Sequence, residues 1–312
     1  MKVAILESLG ISLEKVETLE APLKEKGVEF VSYEKTSDED VLVDELKDVD
    51  VAILANMPLS SKVIEKCSQL KYIDIAFTGV DHVGVAKAKE MGMQVSNASG
   101  YSTEAVAELA IGGVLSMYRY LRETEQACRN HQAKGSMIGL EIKGKTVGII
   151  GLGKIGNRTA ELFHCFGASI IASKKHPSEV EPWITLMSTE EVLKNADIVI
   201  LNCPLNDETR GMINLEQLKK MKKNAILVNL ARGPVVNEKD LCTALEEKVI
   251  AGAVIDVFEK EPPLEDTPIL HAPNTLLTPH IGFATKEAMD IRADIVFENL
   301  TSWLDGKHIN QI

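Results

Sequence analysis

The chain has 312 residues, 45% of them hydrophobic, and this length suits two globular domains rather than one. Its 46 acidic and 34 basic residues give a formal net charge of −12. That charge argues against nucleic acid and anionic membrane as partners, because phosphate groups are bound by clustered Lys and Arg. A small molecule is therefore the expected ligand.

The five cysteines are scattered, odd in number and form no CxxC pair. This pattern predicts neither a disulfide framework nor a zinc site, so no metal is expected. The first apolar run, Val3–Leu6, is too short for a signal sequence, and no run approaches the roughly 20 residues of a membrane helix. We expect a cytoplasmic protein.

Short apolar runs alternate with helical patterns from the first residues onward. Strands are predicted at Val3–Leu6, Val28–Val31, Val51–Ala55, Tyr72–Phe77 and Met93–Ser96, and helices at Leu13–Lys26, after Ser37, at Ser60–Cys67 and at Asp81–Met91. Strands that alternate with helices predict a parallel sheet covered on both faces.

A long helical pattern with a predicted N-cap at Ser102 then marks a change of domain, its apolar stripe running from Val106 to Leu121. The segment Ala127–Gly139 is polar and shows no periodic pattern. A second series predicts strands at Thr146–Ile150, Ser169–Ala172, Asp197–Leu201, Ala225–Leu230, Gly252–Val257 and Thr275–Leu277, and a last helix at Ala288–Leu304.

The predicted fold class is therefore α/β, with two doubly wound parallel-sheet domains. One domain comprises residues 1–99 and 286–312, and the other comprises residues 100–285.

The glycine pattern Gly151–Gly156 (GLGKIG) closes the predicted strand Thr146–Ile150 and opens a helix over Asn157–Phe166. A GxGxxG pattern alone is a weak signal, because a strand-to-helix turn can need glycine for its own sake. Here the strand and the helix on either side match the context of a dinucleotide site.

Each glycine has an expected task in such a site. Gly151 allows the tight turn, Gly153 lets the backbone approach the pyrophosphate, and Gly156 lets the helix pack on the strand. Lys154 and Ile155 lie at the helix N-terminus, whose N–H groups attract phosphate. A bound dinucleotide is the expectation.

The strand Ser169–Ala172 ends in Ser173-Lys174-Lys175, where NAD sites normally place an acidic residue about 20 positions after the glycines. An acid would repel a 2′-phosphate, whereas a hydroxyl and two ammonium groups attract one. The sequence favours NADP over NAD. An exposed basic turn without a ligand is the alternative.

Three reactive side chains follow later strands: Arg232, Glu261 and His280. Ligands of open α/β sheets bind at the carboxyl ends of the strands, so these residues are expected on one rim. Arg232 can hold a carboxylate or keto oxygen, and His280 can exchange a proton near neutral pH. Glu261 can fix the imidazole tautomer. This chemistry suits hydride transfer between a cofactor and a 2-hydroxy acid.

These motifs resemble the D-isomer-specific 2-hydroxyacid dehydrogenase family, its glyoxylate/hydroxypyruvate reductase and D-lactate dehydrogenase branches in particular. The matching segments are Thr78–His82, Asn97–Glu108, Gly151–Gly156, Cys203–Leu205 with Thr209, Asn229–Gly233, Ile255–Pro262 and Thr278–Gly282. The resemblance implies a Rossmann cofactor domain inserted in a flavodoxin-like substrate domain. It also implies a homodimer, with the helix after Ser102 as the contact element.

The resemblance assigns catalysis to Arg232, Glu261 and His280. It implies further cofactor contacts at Thr103, Cys203, Pro204, Thr209, Leu230, Ala231, Asp256 and Gly282. It implies substrate contacts, besides Arg232 and His280, at Phe77, Thr78, Gly79, Val80 and Tyr101. For Tyr101, a packing role is the alternative.

The expected activity is the NADPH- or NADH-dependent reduction of glyoxylate, hydroxypyruvate or pyruvate. Two other readings stay open: a nucleotide-sensing regulator similar to the family's corepressors, and a methyltransferase with a glycine loop. The methyltransferase would leave Arg232, Glu261 and His280 without a task.

Overall fold

The computed structural model of the protein describes residues 1–176 and 179–312. The chain folds into two compact units: unit 1 comprises Met1–Ser102 and Phe283–Ile312, and unit 2 comprises Thr103–Gly282. These divisions fall a few residues from the predicted 99/100 and 285/286. Within unit 1, the rings of Tyr101 and Phe283, which lie between the predicted and the observed boundaries, are 6.0 and 5.1 Å from the ring of Phe77.

Unit 1 contains a parallel sheet that begins at the N-terminus. Its strands are β1 (Lys2–Ile5), β2 (Glu29–Ser32), β3 (Val51–Leu54), β4 (Tyr72–Ile75) and β5 (Gln94–Asn97). The first four helices are α1 (Leu13–Glu25), α2 (Glu39–Leu46), α3 (Ser61–Lys66) and α4 (Val85–Glu90). The strand order β2-β1-β3-β4-β5 is that of flavodoxin-like sheets.

Unit 2 contains the second parallel sheet. The described strands are β6 (Thr146–Ile150), β7 (Ser169–Ser173), β8 (Ile184–Leu186), β9 (Ile198–Leu201), β10 (Ile226–Asn229), β11 (Gly252–Ile255) and β12 (Thr275–Leu277). The described helices are α5 (Thr103–Tyr118), α6 (Leu121–Arg129), α7 (Lys154–Cys165), α8 (Thr189–Asn195), α9 (Leu215–Leu218) and α10 (Glu238–Glu246).

The strands of unit 2 are arranged in the order β12-β11-β10-β9-β6-β7-β8. The chain moves outward from β6 to β8, returns to β9 and continues in the opposite direction. This is the strand order of the Rossmann fold, with its switch point between β6 and β9. Both sheets are parallel, and the central strands are buried along their whole length, as sheets covered on both faces require. The predicted fold class is confirmed.

Two local predictions in unit 2 were wrong. The long helix ends at Tyr118, and Leu121 begins the separate helix α6 after Tyr120, which has a left-handed φ of 50°. Strand β8 was missed because it has only three residues and a largely exposed pattern. Both features lack the buried apolar periodicity that sequence patterns detect.

The last helix, α11 (Lys286–Leu304), returns the chain to unit 1, where a buried polar network holds it. The side-chain amide of Asn299 donates to Asp74 Oδ1 at 3.0 Å and to the carbonyl of Asn97 at 3.2 Å. Asn310 donates in turn to Asn299 at 2.8 Å. Burial raises the pKa of Asp74 well above its usual range. In the described part of the chain, no helix is both long and apolar enough to cross a membrane.

Candidate active site

The glycine loop joins β6 to α7, and its three glycines have different surroundings. Gly151 has a φ of +99°, and a Cβ there would lie 2.5 Å from the backbone nitrogen of Cys203. A Cβ on Gly156 would lie 2.2 Å from the carbonyl oxygen of Gly151. Packing inside unit 2 therefore requires both of these glycines.

Gly153 is different, because the protein itself does not require it. Its φ is −90°, which any residue adopts, and a Cβ there would meet no atom within 4 Å. It is also the N-cap of α7, and no side chain of the described residues caps this helix end. A bare backbone with open space at a helix N-terminus fits the pyrophosphate of a dinucleotide.

The end of β7, where the adenosine ribose of a dinucleotide would lie, contains the predicted basic residues. Ser173 is buried, and its hydroxyl accepts a hydrogen bond from Thr189 at 3.1 Å. Lys175 forms an ion pair with Glu208 at 2.5 Å. Lys174 lies between them and is partly exposed. Of these side chains, Ser173 is the least accessible to a ligand.

Arg232 lies in the turn after β10, and the backbone of that turn is fixed from two sides. The buried Asn229 donates to the carbonyl of Arg232 at 3.0 Å and accepts from the N–H of Ala231 at 3.1 Å. A Cβ on Gly233 would lie 2.1 Å from the carbonyl of Phe258, so only glycine lets the two loops approach this closely. Arg232 itself donates to the carbonyl of Ala231 at 2.8 Å.

His280 and Glu261 form a hydrogen-bonded pair on the same rim. His280 Nδ1 lies 2.6 Å from Glu261 Oε2, and Glu261 Oε1 accepts from the N–H of Phe258 at 3.0 Å. Burial disfavours the charged carboxylate, but the hydrogen bond and charge of His280 and the charge of Arg232 outweigh it and lower the pKa of Glu261. The imidazole is therefore held by a carboxylate that stays ionised.

Asp256 organises the loop that contains His280, a role that the sequence did not reveal. Its Oδ1 accepts from the Thr278 hydroxyl at 2.6 Å and from the N–H of Ile281 at 2.8 Å, and its Oδ2 accepts from the N–H of Gly282 at 2.7 Å. Within this loop His280 has a left-handed φ of 53°, and such strained backbone is concentrated at functional sites. Burial outweighs these hydrogen bonds and raises the pKa of Asp256.

The other predicted cofactor residues lie at the starts of helices or in loops of unit 2. Cys203 is buried against Gly151, and Thr209 donates to the carbonyl of Pro204 at 2.7 Å, which closes the loop after β9. The remaining predicted cofactor residues have these positions: Thr103 begins α5, Lys154 and Ile155 are the first two residues of α7, Leu230 and Ala231 follow β10, and Gly282 lies in the loop that Asp256 holds.

The loop after β4 in unit 1 contains the predicted substrate residues Phe77–Val80. The backbone N–H groups of Thr78, Gly79 and Val80 donate to no described residue, and the buried hydroxyl of Thr78 has no partner there either. A side chain from a neighbouring strand fixes this loop, because Asn97 at the end of β5 donates to the carbonyl of Thr78 at 2.8 Å. Several donors without a partner among the described residues fit a carboxylate ligand.

A Rossmann sheet, a glycine loop with room for pyrophosphate and a His–Glu pair beside an arginine define a dehydrogenase with a nicotinamide cofactor. Comparison with known proteins supplies the family. Residues 111–282 match the family described as D-isomer specific 2-hydroxyacid dehydrogenase, NAD binding domain.

Individual relatives agree with this match. The chain is 32% identical over 297 residues to the hydroxypyruvate reductase of Blautia hydrogenotrophica, covering 91% of this chain and 92% of that one. It is 36% identical over 276 residues to the glyoxylate reductase of Thermofilum pendens, covering 85% and 81%. A solved acyclic imino acid reductase in complex with NADPH and D-Arg has a TM-score of 0.93 at 28% identity, over 100% of both chains.

The chain belongs to the D-isomer-specific 2-hydroxyacid dehydrogenase family. It is an NAD(P)-dependent oxidoreductase that acts on small 2-keto and 2-hydroxy acids.

Proposed function

We propose that this enzyme reduces short 2-keto acids, of the glyoxylate, hydroxypyruvate and pyruvate class, to D-2-hydroxy acids. The observation behind the proposal is the 2.6 Å pair of His280 and Glu261, on the rim that also contains Arg232. In this proposal unit 2 binds the cofactor and unit 1 contributes the loop Phe77–Val80 to substrate binding.

The roles of the three rim residues follow from their hydrogen bonds. The bound nicotinamide supplies the hydride that reaches the keto carbon. Because Glu261 holds Nδ1 of His280, Nε2 is the nitrogen that gives a proton to the keto oxygen. Arg232 donates hydrogen bonds to the oxygens of the substrate, and its planar fork suits a carboxylate beside a keto group. Glu261 stabilises the imidazolium form before proton transfer.

We propose NADPH as the preferred cofactor. Lys174 and Lys175 at the end of β7 support this, because their charges would attract a 2′-phosphate and no acidic residue occupies the end of the strand or the three positions after it. A relative of the same fold was solved with NADPH. When the cofactor binds, Lys175 would leave its ion pair with Glu208 and pair with the 2′-phosphate. Ser173 is buried and therefore contributes less to phosphate binding than the sequence suggested.

We propose that the enzyme is a homodimer in the cytoplasm. The side chains that support a dimer are not those of α5, most of whose apolar residues are buried within unit 2. The supporting side chains are exposed hydrophobic residues that follow α5 in the chain: Tyr120, Leu121, Ile138 and Leu140, which are 41%, 50%, 78% and 45% exposed. Light scattering of the purified protein tests the assembly. A monomer at micromolar concentration would contradict it.

The test of function follows NADPH or NADH absorbance in the presence of glyoxylate, hydroxypyruvate and pyruvate. We expect oxidation of the cofactor with at least one acid, and a D-configured product where the product is chiral. Cofactor binding without turnover of any acid would contradict the proposal and favour the nucleotide-sensing regulator.

Imino acid reduction is a second candidate, because the relative with a TM-score of 0.93 is named for that reaction. The C=N bond of a 2-imino acid accepts a hydride at the same carbon as a 2-keto acid. Adding methylamine to the assay distinguishes the two reactions. A faster rate with an N-methyl amino acid as product would favour the imine, and an unchanged rate with hydroxy acid as product would favour the keto acid.

A further inference from the structure

Three asparagines from separate parts of unit 1 form a closed cycle of hydrogen bonds. Asn97 ends β5, Asn299 lies on α11, and Asn310 lies in the segment that follows α11. The backbone N–H of Asn97 donates to the carbonyl of Asn310 at 3.1 Å, and the side chain of Asn310 donates to Oδ1 of Asn299 at 2.8 Å. The side chain of Asn299 completes the cycle by donating to the carbonyl of Asn97 at 3.2 Å. Both backbone polar groups of Asn97 are therefore held by this cycle.

The carbonyl of Asn97 fixes the direction of the whole cycle. A carbonyl only accepts, so the atom of Asn299 that faces it must be the amide nitrogen. The same nitrogen donates to Oδ1 of the buried Asp74 at 3.0 Å. The oxygen of Asn299 then needs a donor, which the amide of Asn310 supplies and a carboxylate could not. Asn310 also has a left-handed φ of 50°, which asparagine adopts more readily than most residues.

The end of β5 in turn holds two successive carbonyls of the predicted substrate loop. The backbone N–H of Ala98 is shared between the carbonyls of Ile75 and Phe77, at 3.0 and 3.1 Å. The side-chain amide of Asn97 donates to the carbonyl of Thr78 at 2.8 Å. The residue that the cycle holds and the residue after it therefore fix the backbone of the loop.

Peptide planarity extends this hold to the donors of the loop. In a trans peptide, the carbonyl of one residue and the N–H of the next lie in one plane and point in opposite directions. The carbonyl of Phe77 therefore sets the direction of the N–H of Thr78, and the carbonyl of Thr78 sets the direction of the N–H of Gly79. Neither of these N–H groups donates to a described residue. They are two of the donors that fit a carboxylate ligand.

The same rule connects Asn299 to the loop. The carbonyl of Asn97, which accepts from Asn299, shares a peptide plane with the N–H of Ala98, which donates to Phe77. A change in the direction of that carbonyl would turn the N–H of Ala98 away from the loop. Asn299 thus acts on the loop through one peptide plane, without a direct contact.

We propose that Asn299 and Asn310 are positioning residues for substrate binding. Through Asn97 they direct the N–H groups of Thr78 and Gly79 towards the carboxylate of the substrate. The inference rests on the proposed reduction of 2-keto acids and adds to it the side chains that set the carboxylate site. Because every 2-keto acid has this carboxylate, the two residues affect binding of all the acids equally and leave proton and hydride transfer unchanged.

The experiment measures KM and kcat for glyoxylate, hydroxypyruvate and pyruvate. In Asn299→Ala we expect KM to rise about fivefold for each acid, the size expected for loss of one hydrogen bond. The value of kcat should change by less than about twofold, because the lost interaction serves binding alone. The dissociation constant of NADPH should stay the same, since the change lies in unit 1.

Asn310→Asp tests the cycle from its exposed end. Aspartate has the size of asparagine and tolerates a left-handed φ, but its carboxylate cannot donate to Oδ1 of Asn299. We expect KM to rise for every acid here as well. The matched control is His308→Ala, which removes a 3.0 Å hydrogen bond between the same segment and Gln94 at the other end of β5. It should leave KM unchanged.

An unchanged KM in Asn310→Asp would overturn the inference, and so would an equal rise in His308→Ala. A loss of kcat alone in folded Asn299→Ala would assign Asn299 a structural role and also overturn it. If Asn299→Ala does not fold, as judged by circular dichroism, Asn310→Asp and its control decide the question.

The wild-type enzyme separates this inference from the proposed function. A wild-type enzyme that reduces none of the three acids would overturn both together. A wild-type enzyme that reduces them, with an unchanged KM in the variants, would overturn the inference alone.

Discussion

Units 1 and 2 both contain a buried parallel sheet, yet the carboxyl edges of the two sheets differ in chemistry. The edge of unit 2 presents ionisable side chains, Arg232, Glu261 and His280, each fixed by hydrogen bonds from loop backbone or from Asp256 and Asn229. The edge of unit 1 presents backbone N–H groups in the loop Phe77–Val80 and a cluster of aromatic rings.

This difference separates two tasks that one fold can support. Proton transfer needs a titratable group whose tautomer and charge are controlled, and unit 2 controls them with the half-buried Glu261 and the buried Asp256. Recognition of a small anion needs only donors and a shaped apolar surface, and unit 1 supplies both without a titrating side chain on the loop Phe77–Val80. We therefore expect changes at His280 and at the residues that position it in unit 2 to alter kcat, and changes at the loop Phe77–Val80 of unit 1 to alter KM.

The largest effect is expected for His280→Ala. Removal of the proton donor should lower kcat by about 10²–10⁴-fold, the usual contribution of general acid–base catalysis. Binding of NADPH, measured by fluorescence, should change little. The control is His271→Ala, an exposed histidine at the end of a 3-10 turn in the same unit. Loss of cofactor affinity in His280→Ala would indicate a structural role instead.

Asp256→Asn should also reduce kcat, by about 10²-fold, because a loop displaced by about 1 Å misplaces the imidazole. An amide presents N–H donors where the loop needs an acceptor, so stability should fall by about 2 kcal/mol. Asp197→Asn is the control. Its carboxylate accepts from Thr146 and Lys222 at the amino end of the strands, so stability should fall while kcat stays unchanged. Equal kcat in the two variants would refute the role of Asp256.

In unit 1, Asn97→Ala should raise KM for the acid about fivefold, the effect of losing about 1 kcal/mol from the hydrogen bond that holds the Thr78 carbonyl. The rate at saturating substrate should change much less. Ser96→Ala removes a hydrogen bond of the same strand to Ile309 and should leave KM unchanged. If Asn97→Ala lowers kcat and leaves KM unchanged, the proposed role of the unit 1 loop in substrate binding is wrong.

Cofactor selectivity tests the end of β7. Lys174→Asp should weaken NADPH binding about tenfold relative to NADH, because it removes an attractive charge and adds a repulsive one. The exposed Lys239→Asp on α10 should leave the ratio of the two dissociation constants unchanged. If the ratio of the dissociation constants for NADPH and NADH is the same in Lys174→Asp and in the wild type, Lys174 makes no contact with a 2′-phosphate.

The smallest effect concerns pH and stability. Because the folded pKa of Glu261 lies below its ordinary value of 4.5, its pairing stabilises the fold above that pH. The contribution is lost as pH falls through the lowered pKa. Since the side chain is about one-third exposed, the effect should be only a fraction of ~1 kcal/mol. Urea unfolding of wild type and Glu261→Gln between pH 3 and 7 should show the two curves converging at the acid end.

Much of the fold could be predicted because alternation of apolar runs and helical patterns is a local signal. Most strands of both units were located within one or two residues. Strand β8 and the break before α6 were missed because each extends over too few residues to produce a periodic pattern. The rim residues could be placed on one edge without knowing any contact, because the carboxyl ends of parallel strands share an edge.

The contacts between those residues could not be predicted in the same way. Nothing in the sequence shows that both oxygens of Asp256 point into the loop of His280, or that Asn299 of α11 donates to the carbonyl of Asn97. Asp256 and Gly282 are separated by many residues along the chain, and their approach depends on the register of β11 against β12. Side-chain direction within a strand pair is a tertiary property.

By itself the sequence determined the class of this protein, because a glycine loop between a strand and a helix and three reactive residues after parallel strands are short-range features. Tertiary structure decided the rest. It assigned Gly151 and Gly156 to packing and left Gly153 open to a ligand, since only close approach of other backbone atoms distinguishes the three. It also buried Ser173 and brought His280 to Glu261, because both outcomes depend on which loops pack together.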